Sequence, residues 1–256
     1  MPSTATDEFP ALDQLNVPDE IKTAIRELCE ALVREGGENI IGLILYGGLA
    51  RGRFREGRSD VNLTIVLRDA SLPALKKVSP ALRGAWRKAR IEPLLLTPVD
   101  VSKLVALFPI KALDIQSKNV VLFGQNPFAG IEVKREDIRL RIEQELLNLG
   151  LRLRRKLVSS LNSVPAMEAA MVDTARPLAI QLAWLLYLAG KPMFSGQRTE
   201  TIFEEATSQF QLDGQALALM SALRDAEVSE IADMAALCDR VLMTIEKAAA
   251  SAVQLR

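Results

Sequence analysis

The chain has 256 residues, 49% of them hydrophobic, with 32 Lys and Arg balancing 32 Asp and Glu. That length and apolar content can bury a sizeable core, most simply in two domains, and zero net charge excludes a global field drawing the molecule toward nucleic acid or an anionic membrane. Histidine is absent, which removes Ser-His-Asp triads, Cys-His dyads, histidine zinc sites and histidine general bases together. Carboxylate chemistry, metal-assisted chemistry through oxygen ligands, or no chemistry is left.

Residues 1–18 carry three prolines and no sustained period, and read as a loosely attached arm. Ile21, Ile25, Leu28, Leu32 and Val33 then recur at spacings of three and four, which predicts an amphipathic helix ended by Gly36-Gly37. Short β-branched or leucine-rich runs at 40–46, 61–67 and 91–96, separated by glycine, proline and charged segments, predict the strands of an α/β domain. Residues 109–118 read as a short helix and Val120 to Gly124 as a last strand. Between the strands, residues 70–91 hold Lys76, Lys77, Arg83, Arg87, Lys88 and Arg90 with no acid. This local positive field is either a solvated helix face or a surface steering a phosphorylated or polynucleotide substrate.

Beyond residue 124 the period changes. Residues 125–134, with Pro127 and Gly130, are the linker candidate, so the first domain is placed at 19–124 and the second at 135–256. Ile138, Ile142, Leu146, Leu149, Leu153 and Leu157 form one helical stripe. Ala166–Ala189, Thr199–Phe210, Gly214–Ala226 and Glu230–Val253 continue in the same manner, which predicts a helical bundle. Leu178, Leu182, Trp184, Leu185, Leu186 and Leu188 nearly encircle their helix, marking it as the central one. The fold class expected is therefore α+β: an α/β domain with a small mixed sheet, followed by an all-α bundle. Cys29 and Cys238 lie far apart inside apolar helical patterns and read as reduced core residues. The N-terminus lacks a basic region followed by an apolar one, and the run Pro177–Gly190 is too short to span a bilayer, so a cytoplasmic protein without membrane partners is expected.

The chemistry concentrates at residues 45–67. A strand that ends in Gly47-Gly48 and runs into a helix exposes N–H groups and the positive end of a helix dipole, which bind phosphate oxygens; a plain strand-to-helix turn is the alternative. Twelve positions separate Gly48 from Asp60, room for one short helix and a returning strand. On that strand residues 60 and 62 project side by side. Asp60 and Asn62 would then share a cleft with the glycine turn.

An apolar strand, Gly47-Gly48, Ala50-Arg51-Gly52, and Ser59-Asp60 on the next strand resemble the signature of the polymerase-β-type nucleotidyltransferase superfamily. The resemblance implies that Gly47, Gly48, Arg51 and Ser59 contact the nucleotide phosphates. It also implies that Asp60, position 62 and a carboxylate on a later strand, Glu92, hold Mg²⁺ ions that clamp a nucleoside triphosphate and activate an acceptor hydroxyl. Asn62 departs from the pattern, since an amide can contact Mg²⁺ but carries no charge; changes even outside the inner ligand shell cost roughly 10- to 100-fold. A single-metal site on Asp60 and Glu92 stays open. Glu92 has a competing reading as the ion-pair partner of Arg90, and among Arg51, Arg53, Arg55 and Arg58 one or two would reach a phosphate. Members of the superfamily append helical domains, and the stretch from Leu188 to Phe210 is similar in layout to those of aminoglycoside nucleotidyltransferases.

Three functions fit. The first is an Mg²⁺-dependent transferase moving a nucleoside monophosphate from an NTP to an unknown acceptor. The second is a degenerate homologue that binds a nucleotide or a partner. The third is a self-association or toxin-antitoxin-type interaction module, with a homo-oligomer or protein partner through the bundle; nucleic acid stays open as a partner.

Overall fold

The computed structural model describes residues 9–54, 59–193, 197–225 and 231–255. The chain divides into two compact units, Met1–Val133 and Lys134–Arg256.

The first unit is built on four strands, β1 (Ile40–Tyr46), β2 (Val61–Leu67), β3 (Ile91–Leu96) and β4 (Asn119–Gly124), in the order β3-β2-β1-β4. β1 runs antiparallel to β2 and β4, while β2 and β3 are parallel, so the sheet is mixed. Alternation decides the layers. Leu43, Leu45, Leu63, Ile65 and Leu67 fill a core on one face, whereas Ile44, Tyr46 and Val66 turn to the other, where they pack with Val101, Ile115 and Phe128. The first face is covered by α1 (Pro10–Asp13), α2 (Asp19–Gly36) and α4 (Leu72–Ala89), and the second receives α5 (Pro98–Leu107) and α6 (Pro109–Ser117). α5 is fixed by a capping box in which Thr97 and Asp100 satisfy each other's backbone N–H groups. α3, between β1 and β2, is a single turn, Gly47–Ala50.

The arm expected over residues 1–18 is corrected where it is described. Phe9 and Leu12 are fully buried in the first core, and Arg26 of α2 holds Asp13 at 2.7 Å. Pro10 starts a helical turn that sets these two side chains three residues apart on one face, and burying them offsets the chain entropy that proline-rich segments otherwise keep. β1 and β4 approach closely at Gly42 and Gly124. A Cβ on Gly124, whose φ is +65°, would lie 2.1 Å from the Ile41 carbonyl oxygen, so only glycine fits.

The second unit is helical: α7 (Arg135–Ser160), α8 (Val164–Leu188), α9 (Thr199–Phe210), α10 (Gly214–Arg224) and α11 (Met234–Gln254). α8 packs against each of the other four, and Leu178, Leu182, Leu185, Leu186 and Leu188 are buried as expected, while Trp184 of the same pattern is half-buried. The expected helix ends at Ala226 and Glu230 lie outside the described residues. Asp213 and Asp233 cap α10 and α11 through the N–H groups of Ala216 and Ala236. No described helix is long and apolar enough to cross a membrane.

Candidate functional site

The site lies where β1 ends and β2 and β3 begin. Tyr46, the last residue of β1, pairs with Asn62 of β2 and Asn119 of β4, and Asn62 pairs in turn with Glu92 of β3. Residues level with one another on neighbouring strands share a face, so Glu92, Asn62, Tyr46 and Asn119 form one row across the sheet. The row lies on the face that receives α5 and α6.

Gly47 follows directly with φ +77°, a left-handed conformation that starts the α3 turn. A Cβ there would stand 3.0 Å from Asn62 Nδ2, so the amide of Asn62 lies over the Gly47 backbone. The glycine turn and position 62 therefore meet. Gly48 accepts from the N–H of Arg53 at 2.8 Å, which closes the turn. Ser59 sits half-buried just before β2.

Asp60 immediately precedes β2, and its carboxylate accepts from the Arg90 guanidinium at 2.8 Å, with the two side chains 36% and 45% exposed. Arg90 is held in place from several directions. It caps α4 in a left-handed conformation, its carbonyl accepts from the N–H of Val61, and its guanidinium lies 5.2 Å from the centre of the Trp86 ring. The competing ion pair read from the sequence thus exists, with Asp60 in place of Glu92. Glu92 is solvent-exposed beside Asn62. Among the described residues, no three of Asp, Glu, Cys and His gather closely enough to hold a metal ion. Two carboxylates, one of them bridged to an arginine, and a neutral amide make a donor set that does not fit a two-Mg²⁺ clamp, because the charge offsetting two divalent cations is missing.

Positive charge gathers at the glycine turn instead. Arg51, only 12% exposed, pairs with Asp114 of α6, donates to the Asp114 carbonyl at 3.1 Å and reaches Ser117 Oγ at 3.3 Å. Its Nε is buried and has no partner among the described residues. Arg53 is close enough that partial burial, and then the like charge of Arg51, hold its pKa below the usual arginine value, with Asp114 opposing. Lys111, also on α6, lies 4.6 Å from the centre of the Tyr46 ring. Among the described residues, Arg51 and Arg53 thus lie near Asp114, with Lys111 one helical turn before it. Arg55 and Arg58 lie outside the described residues.

Sequence reasoning places Gly47, Asn62 and Glu92 in the region where the structure brings them together. It misses Lys111 and Asp114 as neighbours of the motif, and gives Arg90 to Glu92 where the structure gives it to Asp60. Lys111 and Asp114 sit three apart in the first turns of a proline-started helix, a spacing that puts both on one helix face. What the sequence does not carry is the sheet face on which that helix lies.

The mixed four-stranded sheet with its glycine turn, joined to a helical second unit, is a nucleotidyltransferase-like fold. Spectinomycin adenyltransferase AAD(9) from Enterococcus faecialis, solved with ATP and spectinomycin, matches with a TM-score of 0.51 over 90% of this chain and 98% of its own, at 13% sequence identity. A nucleotidyltransferase-like protein from Exiguobacterium sibiricum matches with a TM-score of 0.42 over 90% of this chain and 76% of its own, at 15% identity. No protein-family model and no curated protein matches the chain.

Proposed function

We propose that this protein binds a nucleoside triphosphate at the Gly47-Gly48 turn through its own cations, in place of a two-metal clamp, and has lost efficient nucleotidyl transfer. The observation carrying this reading is the pairing of Asp60 with Arg90 at 2.8 Å beside Asn62. An Asp-x-Asp pair holding Mg²⁺ presents two free carboxylates; here one is occupied by a guanidinium and the other is an amide. Arg51, Arg53 and Lys111 near the turn support anion binding through charge-assisted contacts to phosphate oxygens. Gly47, Gly48 and Ser59 would lie along the phosphates. The free, buried Cys29 and Cys238 support a reducing compartment such as the cytoplasm.

Isothermal titration with ATP, GTP, CTP and UTP, each with and without Mg²⁺, tests the reading. Binding that survives chelation of Mg²⁺ and weakens at least about tenfold in Arg53→Ala, the loss of one charge-assisted contact to phosphate, is expected. Binding seen only with Mg²⁺ would overturn it in favour of a transferase using a single metal on Asp60 and Glu92, the reading that Glu92's place beside Asn62 favours. In the proposed protein Asn62→Asp alone restores transfer only weakly, since Mg²⁺ must still compete with Arg90 for Asp60. Asn62→Asp with Arg90→Ala frees both carboxylates, and a gain of Mg²⁺ dependence is the expected result.

A further inference from the structure

The outward face of α7 carries an apolar strip that the bundle leaves unpartnered. Leu140, Leu147, Leu151 and Val158 are 50, 59, 51 and 77% exposed, at spacings of seven, four and seven residues. At 100° per residue these four positions fall within about 40° of one another on the helix. The buried stripe of Ile138, Ile142, Leu146, Leu149, Leu153 and Leu157 occupies the opposite side. A strip this long and regular differs from the scattered single leucines of an ordinary surface.

The strip is symmetric about residue 149. Leu140 and Val158 lie equally far from that midpoint, and so do Leu147 and Leu151. A second copy laid antiparallel would set Leu140 against Val158 and Leu147 against Leu151, then repeat both contacts by the two-fold axis. This is the self-complementarity that an isologous interface requires. Charge selects the same direction. The first half of α7 holds Glu136, Asp137, Glu143 and Glu145, with Arg139 and Arg141 paired to glutamates within the helix, whereas the second half holds Arg152, Arg154, Arg155 and Lys156 with no acid of its own, Arg154 and Lys156 being paired to Glu246 of α11 and Asp173 of α8. Parallel copies would bring the two basic halves together across the seam. Antiparallel copies set the acidic first half of one helix beside the basic second half of the other, on both sides of the axis.

We infer that α7 is a self-association surface on which a second copy of this chain packs antiparallel, centred on Leu147 and Leu151. From Glu136 to Leu161 the face runs about 38 Å at about 12 Å width, roughly 450 Å² per copy and about 900 Å² in total. An interface that small belongs to weak, reversible complexes. The dimer therefore forms and dissociates with concentration.

Sedimentation across submicromolar to submillimolar protein tests this, with a rise from 28.1 kDa toward twice that mass expected. Leu147→Glu with Leu151→Glu should stay monomeric with an unchanged thermal transition, because both side chains face solvent in the monomer. Oxidative cross-linking fixes the direction independently of any folding defect. Leu140→Cys with Val158→Cys should cross-link, while Leu140→Cys alone should not, since in the antiparallel pair the two copies of residue 140 stand about 27 Å apart along the axis. A wild-type monomer throughout, a dimer untouched by the double glutamate variant, or cross-linking by Leu140→Cys alone would each overturn the inference.

Discussion

The two units use their charged side chains in opposite ways. In the bundle, charges close on one another where helices begin. Asp213 caps α10 through the Ala216 N–H at 3.0 Å and receives both arms of Arg240 from α11 at 2.7 Å, and Ser221 and Arg224 of α10 share Glu200 of α9. At the strand ends of the sheet unit, Arg51, Arg53 and Lys111 gather near the glycine turn, and Asn62 and Glu92 stand side by side on neighbouring strands. The comparison teaches where a fold is spending polar groups on its own stability and where it leaves them for something else. A satisfied pair inside a cap fixes helices; cations gathered beside a glycine turn offer a place for an anionic ligand.

Breaking the sheet unit at its tightest point should have the largest effect. Gly124→Ala forces a Cβ to within 2.1 Å of the Ile41 carbonyl at a φ of +65°, and β1 and β4 must part to accommodate it. A loss of about 3 kcal/mol or more is expected, read in denaturant titration. Arg51→Ala comes next. It leaves the Asp114 carboxylate half-buried without its guanidinium, at a cost of about 2 kcal/mol together with weaker nucleotide binding. A variant that lost stability but kept its affinity would show Arg51 to be purely structural.

Asp213→Ala tests the other side of the comparison and should cost about 1–2 kcal/mol through the lost cap and paired arms, with no effect on nucleotide binding. It also has a pH signature. The Arg240 guanidinium, with the Ala216 and Gln215 N–H groups, holds the Asp213 carboxyl below the usual carboxylate range against the opposing effect of burial. Because the folded pKa is the lower one, this stabilisation is fully present above the unfolded value, about 4, and is lost as pH falls through the folded value. The alanine variant should therefore show a flatter acid limb in a plot of stability against pH. The smallest effect is expected from Arg90→Ala, whose ion pair with Asp60 is exposed and worth less than about 1 kcal/mol. Its consequence is functional: it frees Asp60, and metal binding measured by titration is where the change should appear.

Much of this was legible in the chain because it depends on local spacing. The strands at 40–46, 61–67 and 91–96, the glycine turn and the central apolar helix follow from short apolar runs, the breakers between them and helical period, and the resemblance of residues 45–67 to a nucleotidyltransferase motif pointed to the fold that the comparison with AAD(9) displays. The anchoring of Phe9 and Leu12 was not legible, since a four-residue helix has no period to read and its burial depends on strands and helices that follow it. α5 was also missed, although Thr97-Pro98-Val99-Asp100 carries the signs of a capped helix start.

By itself, the sequence determined which groups exist: no histidine, Asp60 and Asn62 two positions apart, and arginines strung between two apolar runs. The tertiary structure alone decided how they pair. It gave Arg90 to Asp60, Arg51 to Asp114 and the Asn62 amide to the Gly47 backbone. Residues 30 and 63 positions apart meet only when a crossover helix returns the chain to the sheet and a later helix settles on one of its faces. Charge pairing is a matter of ångströms in space, and separation along the chain does not encode it.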